Sequence, residues 1–153
     1  MPKVRAHTLV PGPVSAAEAL WHDLRRWPSF VDGLARIDKT EGAWPEPGAR
    51  VLWSGPPGGA ARVVERSERL VVRESHVVSV EDEHLLGTRS VAFAPAQDGL
   101  VRVTLELEFT AKPGTGRVAA LSRLLLGRRR REAFERTLTR FRIERMSDVD
   151  EGL

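Results

Sequence analysis

The clearest pattern in the chain is a strict alternation of apolar and polar residues between positions 101 and 109. The odd positions are all apolar, whereas the even positions carry Arg, Thr and Glu. Because successive side chains of a strand point to opposite faces, this alternation predicts a strand with one buried and one exposed face. Weaker alternation predicts strands at residues 3–10, 35–40, 50–54, 61–70, 72–80 and 85–94. Turn-forming residues between the later strands predict an antiparallel sheet.

Two short helices are predicted between the first and second strands. Ser15 and Glu18 have the spacing of a capping box, and Leu20, Trp21 and Leu24 follow at helical spacing. Pro28 interrupts this pattern because proline disfavours helical geometry in the residue before it. We therefore expect a second short helix at about residues 29–34.

The C-terminal segment carries two apolar stripes at helical spacing. The stripes lie on nearly opposite faces: Val118, Leu121 and Leu125 form the first, and Phe134, Leu138 and Phe141 form the second. One straight helix cannot bury both stripes against one sheet. We therefore predict a break near Gly127, followed by a main helix over about residues 128–146.

This order of elements predicts an α+β fold. A curved antiparallel sheet of about seven strands, wrapped around the long C-terminal helix, would bury every apolar face. The 153 residues suit one domain, which we place at residues 1–147, with 148–153 as a disordered tail.

Composition excludes several classes of function. The chain has no cysteine, which rules out disulfides, thiolate catalysis and cysteine-bound metals. No apolar run could span a membrane or serve as a signal peptide, and the absence of cysteine leaves the cytoplasm as the expected compartment. Residues 81–84 are interpreted as a hairpin turn and not as metal ligands, and residues 55–59 lack the Lys-Ser/Thr of a phosphate loop. We expect neither a cofactor nor a metal.

Arginine is concentrated near the C-terminus. Residues 117–145 contain ten Arg and three Glu, whereas the whole chain has a net charge of only +3. We interpret this segment as the solvated face of a helix, and Arg130 as the member nearest the buried face. The alternative is a basic patch for an acidic membrane surface or for nucleic acid, of which nucleic acid is the less favoured partner.

Several local motifs resemble one protein family. Residues 19–30, ALWHDLRRWPSF, are similar to the first-helix signature of the polyketide cyclase/dehydrase branch of the SRPBCC superfamily (START/Bet v 1-like). Further matches are residues 48–53, Val64-Glu65-Arg66 and residues 86–88, so the resemblance covers nearly the whole chain. It implies a helix-grip fold with a hydrophobic cavity between the sheet and the C-terminal helix.

The resemblance also implies candidate polar residues. Aromatase/cyclases of this family place an Arg, a Ser and a Tyr around the cavity. Arg66 matches the arginine, whereas the serine and tyrosine positions are Val64 and Leu34. Two of the three polar groups are therefore apolar here, which weakens the prediction of an enzyme.

The other candidate cavity residues come from the alternation of strand faces, since every second residue of a strand lies on the same face. His76, with Glu74, and Arg89 share strand faces with apolar residues, so each lines a cavity or, if the register slips, faces solvent. Arg66 and His76 are the candidate catalytic residues if the protein is an enzyme. The complete set of expected ligand-binding residues is Trp53, Arg66, His76, Arg89, Val91, Phe93, Leu105, Leu107, Phe134 and Leu138. Trp44 is expected on a loop at the cavity mouth.

These residues predict a binding or carrier protein for a small hydrophobic molecule such as a lipid, an isoprenoid or a polyketide-like compound. The alternative is a cyclase, aromatase or dehydratase that acts on a poly-β-ketone-like substrate. A third class is an interaction module that uses the arginine-rich helix, with a peripheral membrane contact as one form of it. The expected state is a monomer or a homodimer.

Overall fold

A computed structural model describes residues 2–58, 62–112 and 119–152. Its helices are α1 (Val14–His22), α2 (Trp27–Phe30) and α3 (Ala119–Asp150), with short 3₁₀ turns at Leu24–Arg26 and Gln97–Gly99. Its strands are β1 (Lys3–Pro11), β2 (Arg36–Glu41), β3 (Arg50–Ser54), β4 (Val63–Val71), β5 (Ser75–Glu81), β6 (Leu85–Pro95) and β7 (Leu100–Ala111).

The seven strands form one antiparallel sheet in the order β1-β7-β6-β5-β4-β3-β2. The predicted fold class is confirmed: a seven-stranded sheet, two short helices after β1 and a long C-terminal helix. Register shifts in β2 and β4 mark irregularities that bend a sheet locally. Helix α1 packs on β6, α3 packs on β1 and β7, and α2 packs on α3.

The alternation in β7 has the predicted structural consequence. The odd residues from Val101 to Phe109 are all buried, and the even residues are exposed or half-buried. Because β7 lies between β1 and β6, its inner face forms part of the centre of the core. Leu105 and Phe93 lie in the main apolar cluster, which also contains Leu138 and Phe141 of α3.

Helix α3 is continuous, so the predicted break near Gly127 is wrong. Only the second apolar stripe is buried, with Leu138 and Phe141 at 2% and 0% exposure. Leu121 and Leu125 of the first stripe remain exposed, and Val118 lies outside the described residues. The assumption that both stripes must be buried was therefore the error.

The helix also continues beyond the predicted end of the domain. Residues 148–150 belong to α3 and are not a disordered tail. Asp148 is buried, and both of its carboxylate oxygens accept hydrogen bonds from Arg26, at 2.7 and 2.9 Å. Asp148 and then Glu144 raise the pKa of Arg26 through these contacts. The last turn of α3 is thus attached to the region between α1 and α2.

A second ion cluster attaches the middle of α3 to the loop after α2. Asp32 accepts hydrogen bonds from Arg136 and Arg140, while its backbone N–H donates to Thr137. Arg145 donates to the carbonyl oxygens of Pro11 and Gly12. Several arginines that the sequence placed on a solvated face therefore attach α3 to the loop after α2 and to the end of β1.

The predicted capping box at the start of α1 does not form. The N-cap residue of α1 is Pro13, before the expected start at Ser15, and no side chain caps the helix. Glu18 instead accepts a hydrogen bond from the backbone N–H of Arg73 in the β4–β5 turn. Arg73 has a φ of 65°, a conformation that is uncommon outside glycine.

Residues 81–84 form the predicted hairpin connection, and Asp82 organises it. Its carboxylate accepts hydrogen bonds from the backbone N–H groups of His84 (2.7 Å) and Leu85 (3.0 Å) and forms an ion pair with Arg130 of α3. The Asp82 side chain is 1% exposed. One buried carboxylate therefore connects the β5–β6 turn to the helix.

We expect Asp82→Ala to lower the free energy of unfolding by about 2–3 kcal/mol, because buried N–H groups would lose their acceptor. Urea unfolding measures this change. Glu83→Ala is the matched control in the same turn, since Glu83 is exposed, and it should change the value by less than about 0.5 kcal/mol. Equal effects of the two substitutions would show that Asp82 does not hold the turn.

No helix in the described parts of the chain combines the length and apolar character that crossing a bilayer requires.

Candidate functional site

A partly enclosed cavity of about 80 Å³ lies between the inner face of the sheet, α2 and α3. Its walls are largely aromatic and aliphatic. The apolar lining comprises Trp21, Trp27, Val31, Trp53, Val63, Val80, Leu105, Leu107, Ala133 and Phe134. The polar lining comprises Asp32, Glu65, Arg89, Arg130 and Thr137.

A buried ion pair between β4 and β6 lies in the wall of this cavity. Arg89 donates hydrogen bonds to both carboxylate oxygens of Glu65, at 2.5 and 3.1 Å, in a bidentate arrangement. Their side chains are 12% and 0% exposed. Buried charges require such pairing, because leaving either one alone in an apolar environment is costly.

Two tryptophans fix the position of the pair. Trp53 Nε1 donates a 2.8 Å hydrogen bond to Glu65 Oε2. The guanidinium carbon of Arg89 lies 5.9 Å from the centre of the Trp21 ring, within the range of a cation–π contact. Glu65 thus accepts three hydrogen bonds, whereas Arg89 uses only two of the five N–H donors of a guanidinium on Glu65. Arg89 is therefore one of the lining residues, with Arg130 and Thr137, that can donate to an oxygen atom in the cavity.

The volume of the cavity limits what it can hold in this conformation. Sites for drug-sized molecules usually measure about 300–1,000 Å³. A cavity of about 80 Å³ accommodates a ligand of only a few heavy atoms. A larger ligand would require α2 or α3 to move away from the sheet.

A second polar cluster lies outside the cavity lining, where α1 ends beside β5. His22 Nε2 lies 3.2 Å from His76 Nδ1, and His76 Nε2 lies 2.8 Å from Ser67 Oγ. Ser67 Oγ donates to the carbonyl oxygen of Pro45, at 2.7 Å. The Trp44 ring packs edge-on against His76, with 5.2 Å between ring centroids.

The direction of this hydrogen-bond chain follows from the Pro45 carbonyl, which can only accept. Since the single Ser67 hydroxyl hydrogen is used there, His76 Nε2 must donate to Ser67. A neutral His76 then accepts at Nδ1 from His22 Nε2. Both imidazoles are consequently assigned as neutral Nε2–H tautomers.

The electrostatics of the cluster agree with this assignment. Burial, and secondarily the positive charge of Arg89, lower the pKa of His22 to about 4. Burial, followed by His22 and Arg89, lowers the pKa of His76 to about 3. Both rings therefore stay uncharged at neutral pH. A group with so low a pKa is a poor general base near pH 7.

The placement of Arg66 in the cavity is wrong. Arg66 pairs in register with Arg50 and Ser79 on the outer face of the sheet, and its side chain is 58% exposed. The inward residue of the same triplet is Glu65, which lies opposite Val51 and Val80. The motif match identified the correct strand, but one step along a strand reverses the face.

The other predicted site residues divide into three groups. Trp53, Arg89, Leu105, Leu107 and Phe134 line the cavity. Val91, Phe93 and Leu138 are buried in the core but are not among the lining residues. His76 is buried in the histidine cluster, whereas Glu74 is exposed in the turn before β5.

The structure also shows where the two apolar family positions and the loop residue Trp44 lie. Leu34 is buried in the core, and Val64 is half-buried on the outer face of β4 beside Glu65. Trp44 lies on a loop as expected, but it packs on Trp27 and His76 and does not line the cavity.

Sequence reasoning missed Glu65 as a cavity residue. The inward parity of Val63, Glu65 and Ser67 could have shown it, because all three share one face of β4. Asp32 and Thr137 were missed as well, since no periodic pattern shows which loop meets a helix.

Comparison with family models found no match, and comparison with curated proteins found none either. Solved structures do share the fold. The aromatase/cyclase Zhui from Streptomyces sp. R1128 superposes with a TM-score of 0.80 at 11% identity, over 96% of this chain and 94% of that one.

Two further structures extend the comparison. The di-domain aromatase/cyclase StfQ of the steffimycin biosynthetic pathway gives a TM-score of 0.75 at 19% identity, over 97% of this chain and 52% of that one. TTHA0849 from Thermus thermophilus gives 0.72 at 21% identity, over 95% and 98%. At these identities the similarity establishes the fold. The chain therefore shares the helix-grip fold of these solved structures.

Proposed function

We propose that the protein binds a small, mainly apolar molecule in the cavity between the sheet and α3. The observation that supports this most directly is the aromatic lining around the Glu65–Arg89 pair. Largely apolar walls with a small number of fixed polar groups are the usual composition of small-molecule sites. The walls contribute affinity, and the polar group orients the ligand.

The polar group also indicates the chemistry of the ligand. Glu65 neutralises Arg89, so the cavity wall carries no net charge for an ionic ligand at this point. The unused N–H donors of Arg89 suit a neutral acceptor such as a carbonyl or hydroxyl oxygen. The proposed ligand is therefore an apolar ring or short chain that carries one oxygen.

A matched pair of probes tests this proposal. Calorimetric titration should give tighter binding of cyclohexanone than of methylcyclohexane, on the order of tenfold, because a hydrogen bond to a charged group contributes about 1.5–3 kcal/mol. Equal affinities would show that Arg89 does not bind the oxygen. Failure of both probes to bind would contradict the cavity proposal.

A cavity-filling variant controls for binding elsewhere. Ala133 of α3 lines the cavity, so Ala133→Leu should abolish binding of both probes by occupying the space. Thr139→Leu introduces a similar side chain on the exposed face of the same helix and should leave both affinities unchanged.

The second candidate function is cyclisation or dehydration of a poly-β-ketone, which the fold shared with Zhui and StfQ favours. The cavity itself offers less support for it. Its two carboxylates, Asp32 and Glu65, are engaged in ion pairs, and both His22 and His76 lie outside the lining. Loss of water from a bound β-polyketone analogue, followed by mass spectrometry, would favour the enzyme. Unchanged recovery of the analogue would favour the carrier.

A further inference from the structure

The first half of α3 presents apolar side chains to solvent. Leu121, Leu124 and Leu125 are 56%, 72% and 45% exposed. Their spacing places them on one side of the helix. Gly127 lies toward the sheet, since a Cβ atom there would be 3.7 Å from Val4 and 3.8 Å from Phe109. The leucines therefore extend from the edge of this sheet-facing side, where Leu124 lines a groove beside Lys3, around the exposed flank of the helix.

Cations surround these leucines. Lys3, Arg123, Arg128 and Arg131 line an open groove of about 580 Å³ between the start of β1 and α3. Residues 119–131 contain no Asp or Glu, and the first acidic side chain is Glu132, which pairs with Arg128. We call Leu121, Leu124, Leu125, Lys3, Arg128 and Arg131 the Leu-Arg patch.

We propose that the Leu-Arg patch binds the surface of an anionic lipid bilayer. A helix with an apolar strip bordered by Arg and Lys lies in a membrane interface, with its leucines among the acyl chains and its cations at the lipid phosphates. This inference does not depend on the cavity or its ligand.

The charge of the patch argues against a second copy of the chain as the occupant. A two-fold interface brings the same surface of both subunits together, so the arginines of one copy would meet those of the other. Like charges in an interface disfavour association. A purely electrostatic partner would leave the three exposed leucines without a role, whereas a bilayer engages both parts of the patch.

Vesicle flotation tests the proposal with two pairs of variants. Binding is expected to vesicles of phosphatidylcholine with about one third phosphatidylglycerol, and not to phosphatidylcholine alone. Arg128→Gln with Arg131→Gln should weaken partitioning about 25-fold, since each cation contributes roughly fivefold. Leu124→Ser with Leu125→Ser should weaken it by at least about tenfold.

The matched controls lie on the C-terminal half of the same helix. Arg142 and Ile143 are both exposed, so Arg142→Gln with Ile143→Ser removes one cation and one apolar side chain outside the patch and should leave partitioning unchanged. Circular dichroism confirms that all variants keep the fold.

Three outcomes would overturn the proposal. Equal binding to neutral vesicles would remove the role of the arginines. Binding that the arginine variant abolishes and the leucine variant leaves intact would indicate a general polyanion site. Absence of vesicle binding, together with a concentration-dependent dimer that the leucine variant dissociates, would assign the patch to self-association.

Discussion

Glu65→Leu and Arg89→Met are each expected to lower the free energy of unfolding by about 3–5 kcal/mol, because each leaves the opposite charge buried without its partner. Glu65→Leu also removes the acceptor of Trp53 Nε1. The double variant should lower the free energy of unfolding less than either single variant does, since it buries no unpaired charge. Urea unfolding of all four proteins gives the coupling energy directly.

The adjacent pair on the same strand is the matched control. Arg66 and Glu68 lie 3.9 Å apart on the exposed face of β4, with side-chain exposures of 58% and 46%. Arg66→Ala should change stability by less than about 0.5 kcal/mol. If the Arg89 and Arg66 substitutions were equally harmless, the pair in the cavity wall would not be a structural unit.

Acidification from pH 7.5 to pH 5 is expected to destabilise the protein by about 4 kcal/mol through His22 and His76. Their pKa values are lowered to about 4 and about 3 in the folded state, from 6.5 in the unfolded chain. Below pH 6.5 the unfolded chain therefore binds protons that the folded protein does not bind. At pH 5 this difference amounts to about 2 kcal/mol for each histidine.

The pH range in which the free energy of unfolding falls, and the slope of that fall, distinguish the titration of buried histidines from other effects of acid. The contribution of the two histidines to the free energy of unfolding should be constant above about pH 7 and then decrease as the pH falls from about 6.5 to about 4 for His22 and to about 3 for His76. His76→Gln should reduce the slope by about half, since one of the two buried groups would no longer titrate. His7→Gln, a change at an exposed histidine, should not alter it. If His76→Gln left the slope of the free energy of unfolding against pH unchanged, titration of the buried His76 would not be a cause of the acid destabilisation.

The fold could be predicted from the sequence because most strands have one solvent-exposed face and one buried face. The alternation in β7 specified its inner residues correctly. A second short helix was expected at residues 29–34, whereas α2 spans Trp27–Phe30 and has Pro28 in its first turn, where proline is tolerated. The prediction failed at α3 for the opposite reason: an apolar stripe indicates which residues could be buried, but it does not require that they are. Leu121 and Leu125 remain exposed.

The site was only partly predictable. Trp53 and Arg89 could be placed by strand parity, because neighbouring apolar residues show which face is inward. Glu65 shares the inward face of Val63, but a search for apolar positions passes over a charged residue whose burial depends on pairing with Arg89, 24 residues distant. The His22–His76 contact joins α1 to β5 across 54 residues, and only the packing of the helix on the sheet brings these residues together.

Native mass spectrometry of the freshly purified protein, followed by denaturing extraction, tests the central claim most directly. We expect the wild-type protein to retain one small, mainly apolar molecule that contains oxygen, and Ala133→Leu to retain none. The same retained mass in both proteins would place the ligand outside the cavity and contradict the account. A wild-type protein that carries nothing, and that binds neither cyclohexanone nor methylcyclohexane, would also contradict it.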